Sequence, residues 1–141
     1  MMKEIQNASQ NWAQGVISML NKMRTKYADL AMLSKTHGQP ASPTTLGKEI
    51  NVFKTRLERE IKTMKQLQAR AKWGGATANY NPHKLAFPDT DWVESTKKFF
   101  EGLDLELSKV TTQIEPHDYM ADLFHGIARV NNISVSYTHL R

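Results

Sequence analysis

The sequence predicts an all-α fold, an elongated helical bundle, on three observations. Apolar residues recur at spacings of three, four and seven along residues 3–31 and again along residues 46–71. No alternation of apolar and polar residues extends beyond a few positions, so no half-buried strand is expected. Turn-forming residues gather mainly in two stretches, 32–43 and 73–91, and leave long helical patterns between and after them.

The first expected helix spans about residues 3–31, with Ile5, Trp12, Val16, Leu20, Met23, Tyr27 and Leu30 on its apolar face. Gly15 weakens it slightly. A connection over 32–43 follows, punctuated by Gly38, Pro40 and Pro43, because each residue before a proline is biased away from helix. Ser42 reads as an N-cap with Pro43 in the first helical position. The second helix then runs to about Lys72, with Leu46, Ile50, Phe53, Leu57, Ile61, Met64, Leu67 and Ala71 as its stripe. At 1.5 Å per residue such a helix is a rod of ~45 Å, long for a compact domain and suited to a bundle shared between subunits. Residues 73–91 are rich in turn formers and form a long loop of the kind usually found at functional sites or in disordered segments. A third helix is expected over Trp92–Gly102, with Phe99, Phe100 and Leu103 inward, and residues 105–112 are ambiguous. A fourth is expected from near Pro116 to about Asn132, burying Tyr119, Met120, Leu123, Phe124, Ile127 and Val130. The stretch from Val135 to Arg141, VSYTHLR, is expected not to continue the helical pattern.

A chain of 141 residues normally makes one domain. The composition, 40% hydrophobic and 23% charged, is globular, and no apolar run is long enough to span a membrane. The N-terminal residues lack the apolar core of a secretory signal. Cysteine is absent, which removes disulfides and thiolate metal sites and fits a cytoplasmic setting. The net charge of +5 comes from 19 basic and 14 acidic residues. Along the second helix Lys48, Lys54, Arg56, Arg59, Lys62 and Lys65 alternate with Glu49, Glu58 and Glu60. Mixed signs make a solvated face with local ion pairs, so no nucleic-acid partner is expected.

The residues that could carry chemistry cluster in three blocks. In the first, KTHGQPASPTTLGKE at 35–49, His37 is the side-chain type whose unperturbed pKa lies near working pH. Gly38 removes side-chain bulk beside it, and Thr36 and Gln39 add hydrogen-bonding groups. Those four residues alone fit a surface turn that happens to contain a histidine better than a site of proton transfer. In the second block Asn81 and His83 follow Gly74-Gly75, whose backbone N–H groups could form an anion-binding nest; a lone Gly-Gly is a weak signal for it. In the third, Gln113 can donate and accept at once, so it could read a base or carboxamide edge or cap the fourth helix. Asp118 at that helix start meets the helix dipole favourably, and His117 and Asp118 read as structural. The histidines and Asp118 show no metal-ligand spacing such as H-E-x-x-H, so no metal site is expected.

These three blocks, THGQPASPTTLGKE at 36–49, GGATANYNPHKLAFPDTDW at 74–92 and TTQIEPHDYMADLF at 111–124, together resemble the bacterial adenylosuccinate lyase family of the fumarase/aspartase superfamily. The resemblance covers residues 1–133 and implies part of the family's central helical domain. Two positions depart from it, Ala78 where glycine is expected and Pro82 where alanine is expected. Residues 134–141 lie outside it and resemble the translation of a sequencing adapter, a tail with no part in the fold.

The resemblance implies a β-elimination. A base removes a proton beside a carboxylate, and the carbanion-like intermediate expels a nitrogen that an acid must protonate. Adenylosuccinate would give AMP and fumarate, and the succinyl-carboxamide ribonucleotide intermediate of purine biosynthesis would be cleaved in the same way. His37 matches the family's general acid. Thr36 would bind a substrate carboxylate or phosphate, Gln113 matches a substrate-binding glutamine, and Thr112, Thr111, Asn81 and His83 are further candidates for substrate contact. No metal or redox cofactor is implied. The family is homotetrameric, with active sites drawn from three subunits, and its general base is a serine on a loop resembling S-S-x-M-P-x-K. That signature is missing from these 141 residues, so the chain by itself is expected to be inactive and its apolar stripes to drive association. Two alternatives stay open: another lyase of the superfamily, or a non-catalytic helical interaction module built on the same amphipathic helices.

Overall fold

A computed structural model describes residues 2–138. In chain order these form α1 (Met2–Lys26), β1 (Ala31–Thr36), β2 (Gln39–Thr45), α2 (Leu46–Lys65), β3 (Arg70–Ala71), α3 (Asn81–Ala86), α4 (Trp92–Gly102), β4 (Glu106–Leu107) and α5 (Asp118–Thr138). The fold is predominantly helical, as expected. The chain forms two compact units, one from residues 3–66 with 124–138 and one from residues 67–123.

The first unit is organised by α2. Ile50, Phe53, Leu57, Ile61 and Met64 recur at spacings of three and four and are all buried, as the periodicity predicts. Burial of side chains of this size contributes about 1.5–3 kcal/mol each. On α1 the buried residues are Ala13, Ile17 and Leu20. The apolar face therefore lies to one side of the expected stripe, and Trp12 is half-exposed. α5 adds Val130 and Ile133 to this core, whereas Phe124, expected inside, is half-exposed. Arg129 Nε donates to Glu60 Oε2 at 2.7 Å, which pairs a carboxylate that α2 buries.

The stretch after α1 is a β-hairpin and not the irregular connection expected. β1 and β2 run antiparallel, from Ala31 opposite Thr45 to Thr36 opposite Gln39, with a register shift between Leu33 and Lys35. Pro40 and Pro43 stand in β2, where a two-stranded sheet tolerates residues without an N–H. Strand pairing carries the chain past Ser42, so α2 begins three residues later than Pro43. Its N-cap is Thr45, whose hydroxyl accepts from Lys48 N at 3.2 Å. Thr44 Oγ1 donates to Glu49 Oε1 at 3.2 Å beside it. At the base of the hairpin the start of α2 is fastened to the turn that follows α1, with Leu46 N donating to Leu30 O at 2.9 Å and Gly47 N donating to Tyr27 O at 2.8 Å. Gly47 is required there: a Cβ would lie 2.6 Å from Ala28 Cα and 2.6 Å from Arg24 O.

α2 ends at Lys65, short of the expected Lys72. In the second unit Arg70 and Ala71 instead pair in parallel with Glu106 and Leu107, which resolves the ambiguous 105–112 segment. The partner strand overrides the helical pattern, with Glu106 N donating to Ala69 O and Ser108 N to Ala71 O, both at 2.9 Å. α4 spans Trp92–Gly102, as the sequence predicts, capped by Asp91 accepting from Glu94 N at 3.0 Å. Phe100 is its buried aromatic, and Phe99 and Leu103 are half-exposed. Trp73 lies 5.6 Å from Phe99 and 6.4 Å from Phe100, ring centre to ring centre.

The expectation that the helical pattern stops before Val135 is overturned. α5 continues through Thr138, and in the first unit Tyr137 stacks edge-on against Phe53 at 5.4 Å with its hydroxyl 3.7 Å from Met23 Sδ. The last three positions of that stretch lie outside the described residues. Among the described residues no helix is long and apolar enough to cross a membrane.

Candidate functional site

Thr36 closes β1, Gln39 opens β2, and His37-Gly38 is the two-residue turn between them. Both turn residues are left-handed, with φ of 52° at His37 and 74° at Gly38. Positive φ at both positions is the hairpin geometry that follows the twist of the strands. Histidine adopts it more readily than most side chains and glycine without cost. The imidazole is thereby lifted clear of the unit's own core. It is exposed, and it makes no hydrogen bond among the described residues. Strand pairing fixes its backbone and leaves the ring itself open to solvent.

Asn81 and His83 occupy α3, after a loop that folds on itself. Gly74, Gly75, Ala78 and Tyr80 all have positive φ. Ala78 N donates to Gly75 O at 3.3 Å and Tyr80 N to Gly74 O at 3.0 Å, so these two amides are spent within the loop. Ala78, at φ 61°, stands where the resemblance leads one to expect glycine, and its conformation gives the reason. His83 is engaged in an aromatic cluster. Trp73 Nε1 donates to its Nε2 at 3.0 Å, and the rings of Tyr80 and Trp92 lie 5.6 and 5.0 Å away. A neutral ring accepting at Nε2 carries its proton on Nδ1, which is buried without a hydrogen-bond partner among the described residues. Asn81 is exposed at the start of α3.

Thr112 and Gln113 are exposed on the loop that leads from β4 to α5. Thr111 Oγ1 donates to Thr112 O at 3.1 Å. The Gln113 amide makes no hydrogen bond among the described residues, so it does not cap the helix; α5 begins five residues later at Asp118, an acid in the first turn as expected. Sequence reasoning passed over Glu115. It is buried, its Oε2 accepts from His117 N at 2.7 Å, and its Oε1 accepts from Ser108 Oγ at 3.3 Å. An acid just before a Pro-His-Asp helix start was the signal available in the sequence. Thr36 and His37 thus share one turn of the first unit. Asn81 with His83, and Thr112 with Gln113, form two local groups of the second.

Comparison with known proteins identifies relatives of the chain. A family model described as Lyase matches residues 1–137. Over 123 residues the chain is 44% identical to an adenylosuccinate lyase of Vibrio cholerae, covering 86% of this chain and 27% of that protein. An adenylosuccinate lyase of Legionella pneumophila is 45% identical over 88% of this chain and 26% of its own length. That of Escherichia coli K12 is 40% identical over 89% of this chain and 27% of its own. The chain therefore spans about a quarter of the length of these curated relatives. Among solved structures, a fumarate lyase from Mesorhizobium sp. BNC1 shares the fold with a TM-score of 0.73 at 19% identity, over 97% of this chain and 34% of that one. The β-carboxy-cis,cis-muconate cycloisomerase of Acinetobacter calcoaceticus sp. ADP1 gives 0.66 at 22%, over 94% and 29%. These two neighbours speak to fold alone. The family match, which leaves out only four of the 141 residues, decides the matter: this chain belongs to the lyase family.

Proposed function

We propose that the protein containing this chain is an adenylosuccinate lyase of purine biosynthesis, a cytoplasmic homotetramer with His37 as its general acid. The observation that carries the reading is 40–45% identity to adenylosuccinate lyases along most of the chain, with His37 held free at the tip of its hairpin. A base abstracts the proton beside a substrate carboxylate, the C–N bond breaks with its electron pair passing to nitrogen, and the His37 imidazolium protonates that nitrogen. Adenylosuccinate becomes AMP and fumarate, and the succinyl-carboxamide ribonucleotide loses fumarate by the same steps. Thr36 binds a carboxylate or phosphate of the substrate, and Gln113, with Thr112 beside it, reads the purine or carboxamide edge. Asn81 and His83 shape the neighbouring loop. The serine base comes from outside these 141 residues, so this chain alone turns over no substrate.

The test is an assay of adenylosuccinate loss with AMP and fumarate identified as products. The full-length protein is expected to release them in equal amounts, and the purified 141-residue chain to stay at background. Failure of the full-length protein to cleave adenylosuccinate would refute the reading. Turnover by the chain alone would refute the dependence on outside segments.

A further inference from the structure

We infer that Glu115 is a positioning residue for Gln113, fixing the loop that presents the glutamine amide to substrate. The inference rests on the role of Gln113 proposed above. Glu115 is only 8% exposed, in a loop whose neighbouring side chains face solvent: Val110 is 96% exposed and Ile114 66%. Such a loop has almost no apolar packing of its own to define its shape.

The Glu115 carboxylate supplies the definition from both sides. On one side it accepts from Ser108 Oγ at 3.3 Å. Ser108 is itself tied to the strand pair, its N donating to Ala71 O at 2.9 Å. On the other side Glu115 Oε2 accepts from His117 N at 2.7 Å and lies 3.0 Å from His117 Nδ1. His117 has a left-handed φ of 64°, and its carbonyl accepts from Met120 N at 2.9 Å, so it forms the first turn of α5. One buried acid thus joins the end of a strand to the start of a helix, with Thr112 and Gln113 in the span between them. A buried carboxylate is costly unless charge-assisted hydrogen bonds compensate it, and here those bonds set the loop's path. Glu115 acts by holding Gln113 in its bound geometry before substrate arrives, which lowers the ordering cost of binding.

The experiment is a double-mutant cycle in the full-length protein, with KM and kcat for adenylosuccinate as readouts. Glu115→Ala is expected to raise KM about tenfold, the scale of having to order one side chain and its loop on binding. In a Gln113→Ala background the same change is expected to have little further effect, because the group being positioned is gone. A purely structural role for Glu115 would instead give the same loss in both backgrounds, and that result would overturn the inference. Ser108→Ala removes one of the supports and is expected to raise KM in the same direction by a smaller factor. It decides the matter if Glu115→Ala does not fold, and an unchanged KM in that case rejects the inference. If Gln113→Ala raises KM while folded Glu115→Ala does not, the positioning role fails and the glutamine assignment stands. If Gln113→Ala is itself silent, the glutamine assignment fails and takes the positioning role with it.

Discussion

Replacing Gly47 with alanine should loosen the junction that carries the His37 hairpin. The added Cβ would sit 2.6 Å from Ala28 Cα, 2.6 Å from Arg24 O and 2.8 Å from Tyr27 O. All three are backbone atoms, so no side chain can swing aside. Restoring ordinary contacts of about 3.5 Å requires α2 to part from the end of α1 and the turn after it by ~1 Å. Two hydrogen bonds cross the same gap, Gly47 N to Tyr27 O at 2.8 Å and Leu46 N to Leu30 O at 2.9 Å. Losing both costs about 2 kcal/mol, and overpacking adds about 1–3 kcal/mol. Alanine returns about 0.5–1 kcal/mol as the better helix former. The net expectation is a loss of about 2–4 kcal/mol, read by urea unfolding followed by far-ultraviolet circular dichroism. Gly15 is the internal control. It lies in α1 with no atom within 4 Å of an added Cβ, so Gly15→Ala should stabilise by about 0.5–1 kcal/mol. A Gly47→Ala protein within about 0.5 kcal/mol of wild type, the usual range of a surface change, would refute the close-approach argument.

Ala78→Gly should relieve a left-handed alanine and stabilise the second unit by about 1 kcal/mol, slowing hydrogen exchange at the Tyr80 amide; faster exchange would contradict this. Arg129→Ala removes the 2.7 Å partner of the buried Glu60 carboxylate and leaves it only Arg59 at 3.9 Å, and because the Arg129 guanidinium is half-exposed the expected loss is about 1–2 kcal/mol in thermal or urea unfolding. Most of that loss should disappear in the Glu60→Gln/Arg129→Ala double variant, and full additivity would argue against the pair. The half-exposed Trp12, Met19, Leu33 and Phe124 should drive self-association of the isolated chain, seen as oligomers in sedimentation velocity, whereas a single monomeric boundary would contradict it.

The helices were legible where local signals agreed. Asp91 caps α4, Gly102 closes it, and Trp92–Gly102 was read at both ends. The buried side of α2 from Ile50 to Met64 followed from period alone. The hairpin was not legible because its determinants look like those of a loop. Pro40, Pro43 and Gly38 argue locally against pairing, and a register shift interrupts the ladder between Leu33 and Lys35. The signal was a left-handed-tolerant His-Gly pair between two extended runs, the two-residue hairpin pattern. The extended stretch at Arg70–Ala71, where the pattern predicts helix, depends on its partner strand β4, which lies 36 residues away at Arg70–Glu106 and leaves no mark on local periodicity. Among the candidate site residues, His37 and Gln113 stood out only through the family resemblance of the blocks that hold them, since a turn histidine and a capping glutamine fit the same letters. Glu115 did not, because burial and hydrogen bonding give it its importance, and neither is visible in the letter itself. The place of Ala78 was visible as a departure from the family pattern, yet its meaning came only with φ.

The most direct test of the central claim is the turnover number of full-length His37→Ala on adenylosuccinate, with KM measured alongside. If this imidazole protonates the departing nitrogen, kcat should fall by about 10²-fold or more, since general-acid loss typically costs at least that much. KM should change far less. A His37→Ala enzyme with near-normal kcat would contradict the account, whatever the hairpin's geometry.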